Sequence, residues 1–283
     1  MIRSTAPRPI LGTKGRRLNT PEALSPIAEW ARNTTRHDDV RIVHQPSLGA
    51  LADVTRNHIL SAENVNCVII TSPSADLLTP TAIDRDIPFT KDERFDHILS
   101  RETYGADLDL LVSKIPPSDT RTNLSMSLKS LAGEFFAAFD QYDLLQATIE
   151  HVSFVPCPRW HVDKVDVRLV CTFLGRGTLL VANQGVRRSP WGTRLTVSNK
   201  GFNVDESVAF ETSPGEAALM KGESWPGNKG LAVVHRSPDD AGEYGRRLLF
   251  KLDGIRHVTD GKSTFVTHYN DLPLSPCGCG QVH

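Results

Sequence analysis

Three side chains in this sequence have the types and order that metal chemistry needs. His161-Val162-Asp163 sets an imidazole and a carboxylate two residues apart, and His235 ends the apolar run Leu231-Ala232-Val233-Val234. Two histidines and one carboxylate with coordination positions left open suit non-haem Fe(II). The same donors would also take zinc. Burying a carboxylate and an imidazole is costly unless a partner compensates them, and a cation would compensate both.

A basic residue follows at a suggestive place. Arg247, twelve positions beyond His235, opens the apolar stretch Leu248–Leu252, and Arg246 precedes it. A guanidinium there can hold the far carboxylate of a keto acid through paired hydrogen bonds. Arg247 is the first candidate and Arg246 the second, since the alternation does not decide which points inward.

A second set of donors lies near the C-terminus: His268, Cys277, Cys279 and His283. Thiolates and imidazoles at this density can bind Zn or Cu(I), although Cys-Gly-Cys is not a zinc-finger spacing. Cys157 and Trp160 flank the triplet and read as packing residues. Gly175-Arg176-Gly177 reads as a hairpin turn. Asp260-Gly261-Lys262-Ser263 resembles the end of a phosphate loop, but position 256 is arginine where the first glycine belongs. Nucleotide binding is therefore not expected there.

These residues need elements to position them. Thr20-Pro21-Glu22 starts a helix that runs to about Asn33, and helical spacing returns from Ser47 to Glu63. Val40–His44 and Val65–Thr71 read as strands, and Pro73–Pro88 as a loop. A long helix spans about Asn123–Gln146, where Leu124, Leu128, Leu131, Phe135 and Phe139 share a face. The period then changes to two. Ala147–Pro156 is β-like, and Val165, Val167, Leu169, Cys171 and Phe173 alternate with Asp166, Arg168, Val170 and Thr172. Parity puts His161 and Asp163 on the Val165 face, pointing inward. Further short strands follow at Thr193–Ser198, Val208–Thr212, Ala217–Lys221, Leu231–His235, Arg247–Leu252 and Ser263–Tyr269, separated by turn signals. Many short strands without intervening helices argue for a sandwich or small barrel.

The composition narrows the partners. A net charge of −1 over 283 residues, 23% charged, gives no global pull towards nucleic acid or an anionic membrane. No apolar run reaches the ~20 residues of a membrane helix. Residues 1–20 read as a disordered basic tail. Five cysteines at irregular spacing fit a reducing cytoplasm better than a disulfide framework.

The blocks Cys157-Pro158-Arg159-Trp160-His161-Val162-Asp163, Val167-Arg168-Leu169, Gly175-Arg176-Gly177-Thr178, Gly215-Glu216-Ala217, Val234-His235-Arg236-Ser237-Pro238 and Arg247-Leu248-Leu249 resemble an uncharacterised bacterial domain family. The similarity covers most of the chain and is sharpest from about residue 147 to 253. Members of that family tend to stand beside zinc-responsive genes and metal-chaperone GTPases, which implies a metal-chaperone partner. More distantly, the pattern is similar to the Fe(II)/2-oxoglutarate-dependent dioxygenases. Their His-x-Asp, distal His and late Arg fall on His161, Asp163, His235 and Arg247. That resemblance implies Fe(II), with 2-oxoglutarate as cosubstrate.

The expected architecture is α+β. A mainly helical N-terminal region, residues 21–146, packs on a C-terminal double-stranded β-helix (cupin or jelly-roll-like) barrel, residues 147–270, and a Cys/His tail occupies 271–283. The leading expectation is an Fe(II)/2-oxoglutarate-dependent oxygenase of unknown substrate. The alternative is a metal-binding accessory protein in zinc homeostasis, with Zn on the same three ligands and the tail passing the ion on.

Overall fold

The strand Val167–Leu174 (β5) is apolar at nearly every position, because it lies at the middle of a sheet and is covered on both faces. It was located in a computed structural model that describes residues 42–45, 65–71, 77–88, 91–188, 202–255, 257–259 and 264–266. The chain divides into two units, residues 1–37 and 38–283, and every described residue belongs to the second.

In chain order the other strands are β1 (Ile42–Gln45), β2 (Cys67–Thr71), β3 (Glu93–Ser100), β4 (Leu144–Val152), β6 (Leu179–Val181), β7 (Val186–Arg188), β8 (Phe202–Val204), β9 (Phe210–Glu211), β10 (Glu216–Lys221), β11 (Val234–Arg236), β12 (Arg247–Ile255), β13 (His257–Thr259) and β14 (Thr264–Val266). The large sheet runs β1-β2-β10-β5-β12-β4-β3, and only the β1–β2 pair is parallel. A smaller antiparallel sheet runs β11-β6-β9, and an isolated bridge from His161 to His235 extends it.

The two sheets share a core. Ile69, Val152, Val170, Ala218, Met220 and Leu249 of the large sheet meet Leu180 and Phe210 of the small one, with Val233 beside them. The outer face of the small sheet carries a second cluster, in which Trp160, Val186 and Val204 pack on Val162, Val181 and Val234.

Three helices are described: α1 (Pro80–Asp86), α2 (Tyr104–Val112) and α3 (Asp119–Ala138). The Ser118 hydroxyl caps α3 by accepting from Arg121 N–H at 3.0 Å, and Leu124, Leu128, Leu131 and Phe135 form its buried stripe. Helix α1 lies within the expected loop 73–88. Thr79 caps it and Pro80 takes the first helical position, the same Thr-Pro start read at 20–21.

Within 21–146 the described residues include β1, β2 and β3, which join the large sheet; β1 and β2 match the strands expected at 40–44 and 65–71, and β3 was not expected. The charges that mask β3 as a strand are paired across the sheet. Arg94 meets Asp96 and Glu150, and Thr148 donates to Asp96 at 2.6 Å. The expected helices at 20–33 and 47–63, the strand at 193–198 and the tails 1–20 and 271–283 lie outside the described residues. Among the described residues no helix is long and apolar enough to cross a membrane.

Candidate metal centre

His161, Asp163 and His235 come together, each offering a ligand atom within 4.8 Å of the others. Two elements achieve this. His235 sits in β11, and His161 pairs with it through reciprocal main-chain hydrogen bonds of 3.0 and 2.9 Å. Asp163 lies two residues on, where its carbonyl accepts from Glu223 N–H at 2.9 Å. Gly222 makes this docking possible. A Cβ there would collide with the Val165 carbonyl oxygen and come within 2.9 Å of that of Asp163.

The parity that was to aim these side chains is not the one used. Residues 164–166 form a bend, so β5 begins only at Val167, and His161 and Asp163 are not on its ladder. The face of β5 that meets the small sheet is that of Arg168, Val170 and Thr172, whereas Leu169 and Cys171 lie on the opposite face with Leu219, Leu252 and Phe250. The expectation that Val167, Leu169 and Cys171 share the centre's face is therefore corrected.

Local hydrogen bonds orient the donors. His161 Nδ1 lies 2.8 Å from the Arg159 carbonyl, and His235 Nδ1 lies 3.1 Å from the Val233 carbonyl. An Nδ1–H bonded to a carbonyl leaves the Nε2 lone pair free on a neutral ring. Both Nε2 atoms then face Asp163, at 3.8 Å from Oδ1 for His161 and 3.3 Å from Oδ2 for His235. Acceptors converging on acceptors repel one another unless a cation lies between them.

Electrostatics favour the same protonation states. Burial lowers the His161 imidazole to about 4. Burial alone would raise the Asp163 carboxyl, but the Arg168 guanidinium beside it opposes this, and the group is held well below the usual carboxylate range. Asp163 is 5% exposed, and its Oδ2 accepts no hydrogen bond. The Arg168 guanidinium reaches that oxygen at 3.0 Å but off the axis a hydrogen bond requires. An ionised, buried oxygen with no hydrogen-bond donor, beside two imidazole lone pairs, fits a divalent cation.

Of the two arginines at the start of β12, only Arg247 turns inward. It is fully buried and donates to the Arg176 carbonyl (2.8 Å), Ser237 Oγ (3.0 Å) and Thr172 Oγ1 (3.4 Å). All three partners are neutral oxygens, and burial lowers the guanidinium to about 10. Gly175, at φ 79°, gives this side chain room, because a Cβ there would lie 2.9 Å from Arg247 Cγ. Arg246 instead pairs with Asp84 at 2.5 Å, which removes it as the fallback.

Arg168 is the residue that the sequence reading missed. It alternates with the residues read as pointing inward, yet it stands against Asp163 and grips Asp253 at 2.6 Å through both Nε and Nη2. The signal was the apolar Val170 on the same face, which marks that face as buried. Cys157 is not in the ligand cluster, and burial pushes its thiol up to about 12. Trp160 donates to Glu206 at 2.9 Å and lies under Arg236, as a packing residue. His268, Cys277, Cys279 and His283 lie outside the described residues.

Comparison with solved structures gives distant likenesses. The chain is 12% identical to AtDAO1, the dioxygenase for auxin oxidation 1 from Arabidopsis thaliana, in complex with 2-oxoglutarate (76% of this chain, 91% of that one, TM-score 0.41). It is 8% identical to a full-length Neurospora crassa protein bound to alpha-KG and 5-formyluracil (81% and 91%, TM-score 0.37). It is 12% identical to a Pseudomonas putida prolyl-4-hydroxylase (75% and 100%, TM-score 0.35). Likeness at this level does not speak for the chemistry of this chain. No curated protein matches it significantly. A family model described as "Protein of unknown function (DUF1826)" matches residues 72–253.

Proposed function

The chain belongs to the family of proteins of unknown function DUF1826, and we propose that it is an Fe(II)- and 2-oxoglutarate-dependent oxygenase on a double-stranded β-helix. The observation that carries this reading is the convergence of His161 Nε2, His235 Nε2 and the Asp163 carboxylate with both Nδ1 atoms tied to carbonyls. Two imidazoles and one carboxylate leave positions for a chelating keto acid and dioxygen. The buried Arg247, whose hydrogen bonds go to neutral oxygens, supplies the cation that the far carboxylate of that acid needs.

In this reading His161, Asp163 and His235 would hold Fe(II). Bound there with 2-oxoglutarate, the ion supplies the oxidising chemistry. The protein's own contribution is orientation and exclusion. The Arg159 and Val233 carbonyls fix the imidazole tautomers, and Asp163 offsets cation charge. Arg247 would orient the cosubstrate, with the Thr172 and Ser237 hydroxyls alongside it. The apolar core between the sheets, including Val170, Leu180 and Leu249, keeps bulk water from the inner end of the site.

The test is conversion of 2-oxoglutarate to succinate by protein purified without oxygen and loaded with Fe(II). Turnover should require the metal and vanish in His161→Ala and His235→Ala. Stoichiometric metal retained by the double variant would refute the ligand set. Bound zinc with no keto-acid turnover in the wild type would instead favour the accessory protein of zinc homeostasis.

A further inference from the structure

Arg168 and Asp253 face one another across β5 and β12 as registered partners, so the sheet itself fixes their contact. Asp253 takes both Nε and Nη2 at 2.6 Å, a paired grip that leaves only Nη1 to reach Asp163, at 3.0 Å. The grip is unequal. Asp253 holds the guanidinium in line, while Asp163 receives one off-axis contact and keeps Oδ2 without a hydrogen bond. We propose that Arg168 and Asp253 form a charge clamp that positions the Asp163 carboxylate and sets the affinity of the centre for a divalent cation. The inference rests on the metal-site reading above and deepens it.

The charges explain why both members are needed. The Asp163 side chain is 6% exposed and that of Arg168 14%, so water screens their interaction poorly. Arg168 steadies the buried carboxylate before any cation arrives, which otherwise would be an uncompensated charge. A lone guanidinium would then compete with the cation and repel it. Asp253 prevents this by cancelling the charge of Arg168 and taking most of its donors. Glu150, also on that face, adds less to Arg168, because Lys251 at 2.6 Å and Arg94 at 3.4 Å engage it. Arg168 and Asp253 are therefore positioning residues, acting on the ion only through Asp163.

The clamp separates from a merely structural ion pair by direct Mn(II) titration of the full chain, followed by electron paramagnetic resonance. Asp253→Asn keeps the shape, frees Arg168 to engage Asp163, and should weaken Mn(II) binding by about tenfold or more, the range of outer-shell effects. Arg168→Gln/Asp253→Asn removes the competing guanidinium together with its partner and should recover part of the affinity lost in Asp253→Asn, stopping short of wild type because Asp163 is no longer positioned. Arg168→Lys keeps the charge without the fork and should fall between them, and it carries the test if Asp253→Asn melts too low to titrate. Co(II) absorption of the variants reports whether the ligand geometry has moved. Wild-type affinity in Asp253→Asn, or no recovery in the double variant, overturns the clamp alone. Failure of the wild type to bind Mn(II) or Co(II), with Asp163→Ala no different, overturns the metal site and the clamp with it.

Discussion

His161 and His235 are joined main chain to main chain, each N–H donating to the other's carbonyl at 3.0 and 2.9 Å, with their ring centroids 4.4 Å apart. The backbone pairing by itself brings the two imidazoles together. Removing either ring should spare the pairing and cost little of the fold. His235→Ala is expected to lower Co(II) affinity by about a hundredfold or more. Its stability should fall by only about 1–2 kcal/mol, within the usual range for a point substitution. Calorimetric titration beside thermal melts checks both. A variant that loses its fold together with its metal would show that the pair depends on side-chain packing.

Arg247 gives the opposite balance. Its charge is buried against neutral oxygens, an arrangement that burdens the folded state and makes sense if an anion completes it. Arg247→Met should lose 2-oxoglutarate binding by about a hundredfold while costing no more than about 1 kcal/mol, because an uncompensated buried charge goes with it. Arg247→Lys, charged but without the fork, should raise KM for 2-oxoglutarate by about tenfold and leave metal affinity unchanged. Binding of 2-oxoglutarate by the Met variant at wild-type strength would place the cosubstrate elsewhere.

Gly222 is the hinge on which Asp163 hangs. Any Cβ there meets the carbonyl oxygens of Val165 and Asp163, which are backbone atoms and cannot swing aside. Gly222→Ala must push the 163–165 segment away. The expected cost is about 1–3 kcal/mol, with metal affinity falling in parallel. Ala218→Gly, in the adjoining strand β10, loosens the core without touching that segment, so its metal affinity should hold. Equal metal loss in both variants would remove the special role of Gly222.

The ligand types were legible because chemistry restricts them: His-x-Asp, a later histidine and a late arginine carry their meaning in residue identity and order. Their orientation was not. Parity counts residues along an unbroken strand, and the bend at 164–166 breaks the count between Asp163 and β5. That break also hid Arg168, since a charge alternating with apolar residues reads as solvated unless the face is known to be covered. Strand β3 was hidden in the same way, because Arg94 and Asp96 pair with one another and with β4. Short-range signals fared better. Strands β2, β10 and β12 were expected close to where they form; the helix expected over 123–146 spans Asp119–Ala138, with β4 taking up 144–146, and α1 went unread because its prolines suggested a loop.

Lys221, at the end of β10, offers a test of the fold that is independent of the metal. The residue is 3% exposed, its Nζ lies 5.5 Å from the Trp225 ring centre, and burial lowers its ammonium to about 8. An unfolded lysine titrates near 10.4, so the folded state disfavours the charge. Below pH 8 both states are protonated and the folded state bears the full penalty. Between pH 8 and about 10.4 the unfolded chain binds more protons than the folded one, and stability rises with pH by linkage. Lys221→Met removes this titration while filling similar volume. At pH 7 the variant should therefore be more stable than wild type, by up to about 3 kcal/mol, less whatever the ammonium's own contacts, that with Trp225 among them, contribute. The gap should narrow steadily above pH 8 and close near 10.4, where the wild-type lysine is neutral in both states. Urea melts of the two proteins across pH 7–10 measure that difference and cancel the alkaline effects they share. A gap that stays constant with pH would mean that packing, not the buried charge, separates them.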